Sequence, residues 1–281
     1  MEKTYRIRRM RREELDWALQ RAAAEGWNPG RFDADAFWAA DPGGYWVGLL
    51  EDEPVACLSV VRYGDRFGFV GLYIVAESLR HHGYGLALWR QALAECGGRV
   101  LGLDAVVEQQ ATYARDGFVF AHRNLRYGGT APTDRRAEET DEAGPGDFEA
   151  IVAYDRSFFP AERTSFLARW LDPTRHRVRV ARTGGGVTGY GVIRPCGAGY
   201  KVGPLFADDP ATAERLFTGL CAGLPAGETV YLDPPADNRE AVAMAERFGM
   251  APVFETGRMY RGTAPQLPLG RIYGITTFEL G

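Results

Sequence analysis

The order of elements predicted along this chain runs through it twice, and that repeat limits the fold more than any single residue does. In the first pass, Tyr5–Met10 alternates like an edge strand, and Glu13–Glu25 places Leu15, Ala18, Leu19 and Ala22 on one helical face. Trp27-Asn-Pro-Gly30 breaks that helix, and a short one follows at Asp35–Ala40. Strand-like runs at Tyr45–Leu50, Pro54–Tyr63 and Phe67–Val75 are joined by hairpin-length connections. A helix at Gly85–Glu95, a strand at Val100–Val106, a helix at Gln109–Arg115 and a strand at Phe118–Tyr127 complete the pass.

Residues 129–146 carry glycine, proline and clustered charge, which predicts a linker, with a short strand inside it at Arg136–Thr140. The second pass then starts at Asp147. It has helices at Phe148–Phe158 and Glu162–Leu171 and strands at Val178–Arg182, Thr188–Pro195 and Gly199–Phe206. A helix at Thr212–Leu224, a strand at Thr229–Asp233, a helix at Arg239–Phe248 and a strand at Pro252–Tyr260 follow. The tail Ile272–Glu279 alternates again and predicts a strand packed against the two halves. The expected architecture is α/β (α+β): a tandem of mixed sheets flanked by helices, with units at 1–128 and 147–281.

Composition narrows the function classes. The 281 residues include 33 Lys plus Arg and 37 Asp plus Glu, for a formal charge of −4. That balance argues against a nucleic-acid binder, which needs a concentrated basic face. Cys57, Cys96, Cys196 and Cys221 form no Cys-x-x-Cys pair, so neither a metal site nor a disulfide framework is expected. No run approaches a membrane span and the start lacks an apolar leader core, so a cytoplasmic protein is the expectation. Nothing in the pattern specifies an oligomer.

Chemistry concentrates in Tyr73-Ile74-Val75 and the turn Arg80-His81-His82-Gly83-Tyr84-Gly85, which leads into a helix through Leu86 and Ala87. The glycines permit close backbone approach and positive φ. Free N–H groups and the positive end of the helix dipole converge there, which suits a pyrophosphate, and Arg80 adds a cation. A dinucleotide fingerprint would need a glycine where Leu88 stands, and a Walker loop needs a Gly-Lys-Ser/Thr that is absent.

With Arg80-x-x-Gly83-x-Gly85 after Val75, and Tyr113-Ala-Arg-Asp-Gly117-Phe118 downstream, the sequence resembles the GNAT superfamily of acyl-CoA-dependent N-acyltransferases. Trp27-Asn-Pro-Gly30 and the tail from Tyr273 to Gly281 resemble a two-domain bacterial subgroup of it. The resemblance implies an acetyl-CoA site between splayed strands ending near Val75 and Asp104. It implies pantetheine pairing to the backbone around Tyr73, Ile74 and Val75, and a pyrophosphate in the turn 80–85. Tyr113 matches the tyrosine that donates to the CoA sulfur in relatives. The acceptor is then the primary amine of a small molecule.

Two departures matter. Relatives place a glutamate on the strand matching Phe67–Val75, which has no carboxylate here, and an asparagine where Val106 stands. Asp104, Glu108 and, from the tail, Glu279 are the candidate bases. His81 and His82 are read as turn residues, and no metal is expected. The aromatic stretch that includes Trp27, Phe37 and Trp38, with Asn28, falls where relatives form the substrate wall. A binding protein that senses acyl-CoA or an amine without turnover is the alternative.

The second half diverges where the first is informative. The interval Gly71–Leu93 is five residues longer than its counterpart Gly203–Leu220. The missing turn is replaced by a glycine-free run, Ala207–Glu214, containing Asp208, Asp209 and Glu214. Those carboxylates would repel a pyrophosphate, so one acetyl-CoA per chain is expected.

Overall fold

The computed structural model describes residues 4–133 and 140–281. The first half contains β1 (Tyr5–Arg9), α1 (Arg12–Ala24), α2 (Asp33–Ala40), β2 (Tyr45–Leu50), β3 (Glu53–Tyr63) and β4 (Phe67–Val75). After these come α3 (Tyr84–Ala94), β5 (Val100–Val106), α4 (Gln110–Arg115) and β6 (Val119–Thr130). The second half opens with β7 (Asp141–Glu142), α5 (Phe148–Asp155), α6 (Thr164–Trp170), β8 (Arg177–Thr183), β9 (Gly186–Pro195) and β10 (Tyr200–Ala207). It continues with α7 (Pro210–Cys221), β11 (Thr229–Leu232), α8 (Arg239–Arg247), β12 (Ala251–Arg261) and β13 (Ile272–Gly274). Most of the strand expected at Arg136–Thr140 lies outside the described residues; Thr140 itself is irregular, and β7 starts just after it.

All thirteen strands join one sheet, ordered β1-β2-β3-β4-β5-β12-β6-β11-β10-β9-β8-β7, with β13 added against β10. The two halves exchange their last long strands. β12 pairs antiparallel with β5 of the first half, and β6 pairs antiparallel with β11 of the second. The exchanged strands run against each other in the centre, from Val119 opposite Tyr260 to Gly128 opposite Ala251.

A buried arginine on each exchanged strand locks this arrangement. Arg126 of β6 grips Asp233, just after β11, through two bonds of 2.8 Å. Arg258 of β12 grips Asp104 of β5 at 3.0 and 2.8 Å. A third buried pair, Arg194–Asp33 at 3.0 Å, ties β9 to α2.

Helices cover the sheet as the apolar spacing directs. The face of α1 made by Leu15, Ala18, Leu19 and Ala22 is buried as its periodicity predicts. One continuous core draws on both halves, and in it Phe37 of α2 stacks on Trp170 of α6 at 6.3 Å between ring centroids. Phe37 is fully buried there, so it belongs to the seam between the halves and not to a substrate wall.

The tail departs from expectation. Only Ile272–Gly274 is a strand, and the residues after it turn irregularly while staying buried. Two glycines make room for its passage. A Cβ on Gly203 would lie 2.6 Å from the carbonyls of Ile275 and Thr276, and one on Gly71 would lie 2.1 Å from that of Glu279. Among the described residues, no helix is long and apolar enough to cross a membrane.

Breaking one partner of a buried ion pair strands the other charge, at about 3–5 kcal/mol. Arg258→Met should therefore lower unfolding stability by about that amount in urea. A loss within experimental error would show that the exchanged strand does not depend on this pair.

Candidate functional site

The site begins where β4 and β5 part. Their parallel pairing runs from Phe67 opposite Val100 to Val70 opposite Leu103 and goes no further. The cause is local: the register on β3 shifts between Cys57 and Ser59, and the buried Leu72 adopts φ +47°. A non-glycine residue holds that conformation only when its surroundings enforce it. Past the bulge, β4 swings away and a cleft opens. Tyr73, Ile74 and Val75 line one side of it, and Val106, Glu108 and Tyr113 are also among its lining residues.

At one end of the cleft lies the turn into α3. His81 and Gly83 take positive φ, +66° and +86°, and Gly83 is the N-cap. With no side chain to cap it, the helix start keeps its N–H groups for something else. Gly85 serves a different purpose from Gly83. A Cβ there would sit 2.8 Å from both the Tyr73 hydroxyl and Val75, so glycine lets the helix press against β4. Within the helix, the Ala87 N–H is already used by the Gly83 carbonyl, and Leu86 is half exposed on the cleft.

Other members of the turn act as braces. Arg80 donates to the Val75 carbonyl at 3.1 Å and pairs with Glu25, holding strand and turn together. His82 contacts the Arg80 carbonyl through Nδ1 at 2.8 Å, and Tyr84 packs its ring on Tyr5. The fit to a pyrophosphate thus rests on the backbone at an uncapped helix start, with Arg80 fixing its shape.

The cleft leads into a cavity that shares Trp27, Tyr73, Val106, Gln109, Tyr113 and Phe254 with it. β12 and the tail supply the rest of the far wall, through Thr256, Phe278 and Glu279. Glu279 is 3% exposed, and its Oε1 has no hydrogen-bond partner. Burial raises the Tyr113 hydroxyl well above the ordinary tyrosine value, with a smaller push from Tyr73. Burial likewise lifts Tyr73 to about 12, assisted by Asp116.

The candidate bases therefore separate by geometry. Asp104 lines the cavity, but Arg258 and Asn124 (2.8 Å to Nδ2) hold its carboxylate. Its lone pairs are committed to the strand exchange. Glu108 is exposed at the cleft. Among the described residues lining the cavity, Glu279 is the enclosed carboxylate with an oxygen, Oε1, that has no hydrogen-bond partner.

Of the expected substrate wall, Trp27 lines both cavity and cleft. Asn28 instead ties its loop to the second half, accepting from the Ala198 N–H and donating to the Ala198 carbonyl, both at 2.9 Å. Trp38 stacks on Tyr45 and borders a separate surface groove. Phe254, Thr256 and Phe278 escaped the sequence reading. They come from the other half: the strand exchange brings Phe254 and Thr256 here, and the tail brings Phe278. Among the described residues, no group of three or more His, Cys, Asp or Glu is placed to hold a metal.

The corresponding gap in the second half is closed. β10 pairs with β11 only from Tyr200 to Val202, and β13 then pairs with β10 at Leu205 and Phe206. Asp209 caps α7, accepting from the Thr212 N–H at 2.9 Å, and Pro210 follows it. The helix start that would hold a phosphate carries its own carboxylate.

A model of the acetyltransferase (GNAT) family matches residues 10–118, and one of the acetyltransferase (GNAT) domain matches 151–274. The chain belongs to the GNAT acyltransferase family, whose members use acyl-CoA, and it carries two of its domains in tandem. Among particular proteins, it is 33% identical over 267 residues to holothin acyltransferase of a Pseudoalteromonas species, covering 95% of this chain and 90% of the relative. A Pyrococcus horikoshii protein described as an acetyltransferase shares the fold, with TM-score 0.83, 22% identity and coverage of 99% and 96%. A tandem GNAT protein from the clavulanic acid biosynthesis pathway does so with TM-score 0.64, 15% identity and coverage of 93% and 100%.

The asymmetry of the two clefts predicts one acetyl-CoA per chain by titration calorimetry. Gly85→Val should abolish that binding. Asp209→Ala should leave it intact while removing a helix cap worth about 1 kcal/mol of stability. Two molecules bound per chain would overturn the asymmetry.

Proposed function

We propose that this protein transfers the acetyl group of acetyl-CoA to the primary amine of a small molecule by direct attack on the thioester. The observation that carries the reading is an open cleft, starting at the uncapped α3 terminus, that runs into a cavity holding the unpartnered Glu279. The relative named holothin acyltransferase, matched along nearly its whole length, supports acyl transfer as the activity.

In this reading, residues 1–128 hold the donor and 147–281 complete the acceptor side. The backbone of Tyr73, Ile74 and Val75 pairs with pantetheine, the edge that β4 leaves free where it parts from β5. The N–H groups at the start of α3 take the pyrophosphate. The amine nitrogen bonds to the thioester carbonyl carbon, the carbon–sulfur bond breaks, and Glu279 accepts the proton the nitrogen loses. Tyr113, kept protonated by burial, donates a hydrogen bond to the departing thiolate, which is protonated on release. A sensor that binds without turnover needs no base, so the enclosed Glu279 favours the enzyme. The four cysteines are buried free thiols, which suits a cytoplasmic setting.

Thiol release from acetyl-CoA with a panel of amines tests the reading. Tyr113→Phe should lower kcat by about 10²-fold or more with acetyl-CoA affinity nearly unchanged. Glu279→Gln should lower kcat/KM by about 10²–10⁴-fold. Because burial raises the Tyr113 pKa, no alkaline loss of rate from this residue is expected below about pH 9. Wild-type turnover by Glu279→Gln would take the base role away from it.

A further inference from the structure

The electrostatics behind the cavity wall bear on which amine it accepts. Three buried arginines, Arg126, Arg194 and Arg258, are each bonded to a carboxylate: Asp233, Asp33 and Asp104. Two ionisable groups remain. Lys201 of β10 is 2% exposed and, among the described residues, touches no carboxylate. Its ammonium donates to the Trp27 carbonyl at 2.9 Å, the same oxygen that takes a 3.0 Å bond from Arg126. Glu279 is the buried carboxylate left over on the cavity side of the wall.

These two offset one another. Burial lowers the Lys201 pKa to about 8 and Arg126 and Arg194 add to that, while Glu279 and Asp233 support the ammonium. Counted by residue, the four buried cations Arg126, Arg194, Arg258 and Lys201 face four buried carboxylates, Asp233, Asp33, Asp104 and Glu279, so the interior holds no spare carboxylate for a further cation. An ammonium in the cavity would leave one buried positive charge uncompensated, which is expensive in such surroundings.

The walls point the same way. Trp27, Tyr73, Tyr113, Phe254 and Phe278 present aromatic surface. The Arg126 guanidinium lies 4.6 Å from the centroid of Phe278, and Lys201 holds the backbone of Trp27. With the Arg126 guanidinium already against Phe278, like-charge repulsion makes that part of the wall a poorer host for a second cation.

We propose that the cavity takes the uncharged form of a weakly basic monoamine carried on a flat apolar ring, and that Lys201, by balancing Glu279, is the specificity-determining residue that turns alkylammonium and polycationic acceptors away. This rests on the cavity being the acceptor site. The nitrogen of such an amine needs no prior deprotonation. It bonds to the acetyl carbon, gives its proton to Glu279, and CoA leaves as thiolate.

The test compares aniline, a 2-aminothiazole, benzylamine and spermidine with the full chain and acetyl-CoA, following CoA release and acetylated product. At pH 7 an aromatic amine should have the highest kcat/KM. The benzylamine value should rise about tenfold per pH unit from 6 to 8, as its free-base fraction does. Over the same range the ratio of aniline to benzylamine should fall correspondingly. Lys201→Gln keeps a donor for the Trp27 carbonyl and drops the charge. It should lower the KM for benzylamine about tenfold relative to that for aniline, while Lys201→Arg keeps the wild-type preference. A purely structural role would change both amines together and leave their ratio alone.

Spermidine or benzylamine leading at pH 7, or an unchanged ratio in a folded Lys201→Gln, would overturn the proposal while leaving acyl transfer standing. Should Lys201→Gln not fold, the wild-type ranking and its pH dependence still decide. No CoA release with any amine, despite acetyl-CoA binding, would overturn the acyltransfer reading and this inference with it.

Discussion

The exchange of β6 and β12 is the constraint on which the rest of the structure depends. Each strand completes the sheet of the other half, and each brings one arginine to an aspartate at the same relative place: Arg258 to Asp104, Arg126 to Asp233. Two charges buried together with bidentate geometry tolerate little displacement. That rigidity fixes β12 beside β5 and so delivers Phe254 and Thr256 to a cavity whose opposite wall belongs to the first half. It also explains why Asp104, well placed in sequence to be a base, is committed to holding the sheet.

Duplication left two clefts, and the chain treats them in opposite ways. In the first, the strained Leu72 opens the strands and Gly83 leaves the helix start bare. In the second, Asp209 caps the helix and β13 occupies the edge of β10. The tail that closes one cleft then continues past Gly203 and Gly71, carrying Phe278 and Glu279 into the other. The acidic run that replaces a phosphate turn is therefore coupled to the site: the filled second cleft anchors the segment that furnishes the cavity with its free carboxylate.

Much of this was legible beforehand. Periodicity located most of the helices and strands, because amphipathic spacing records which face is buried. The turn Arg80–Gly85 was recognisable because backbone chemistry at a helix start demands glycine, although Gly85 proved to serve packing against Tyr73 and Val75. Asp209 as a carboxylate in place of a phosphate turn was readable for the same electrostatic reason. What escaped was long-range. No local signal says that a strand at 251–261 pairs with one at 100–106, so Phe254 and Thr256 could not be placed. Phe37 and Trp38 were indistinguishable from pocket aromatics by residue type. Only the seam with Trp170 and the stacking on Tyr45 remove them. Glu279 was one of three candidate bases in the sequence, beside Asp104 and Glu108, because β4 carries no carboxylate; its enclosure was not readable.

The central claim is that both halves build one acceptor site around one donor cleft. The most direct measurement is acetyl transfer to an accepted amine by residues 1–133 and 140–281 produced as separate chains, singly and together. The account predicts no turnover by either piece and recovery when both are coexpressed, because β12, Phe278 and Glu279 must be present. Turnover at the full-chain rate by residues 1–133 alone would contradict it.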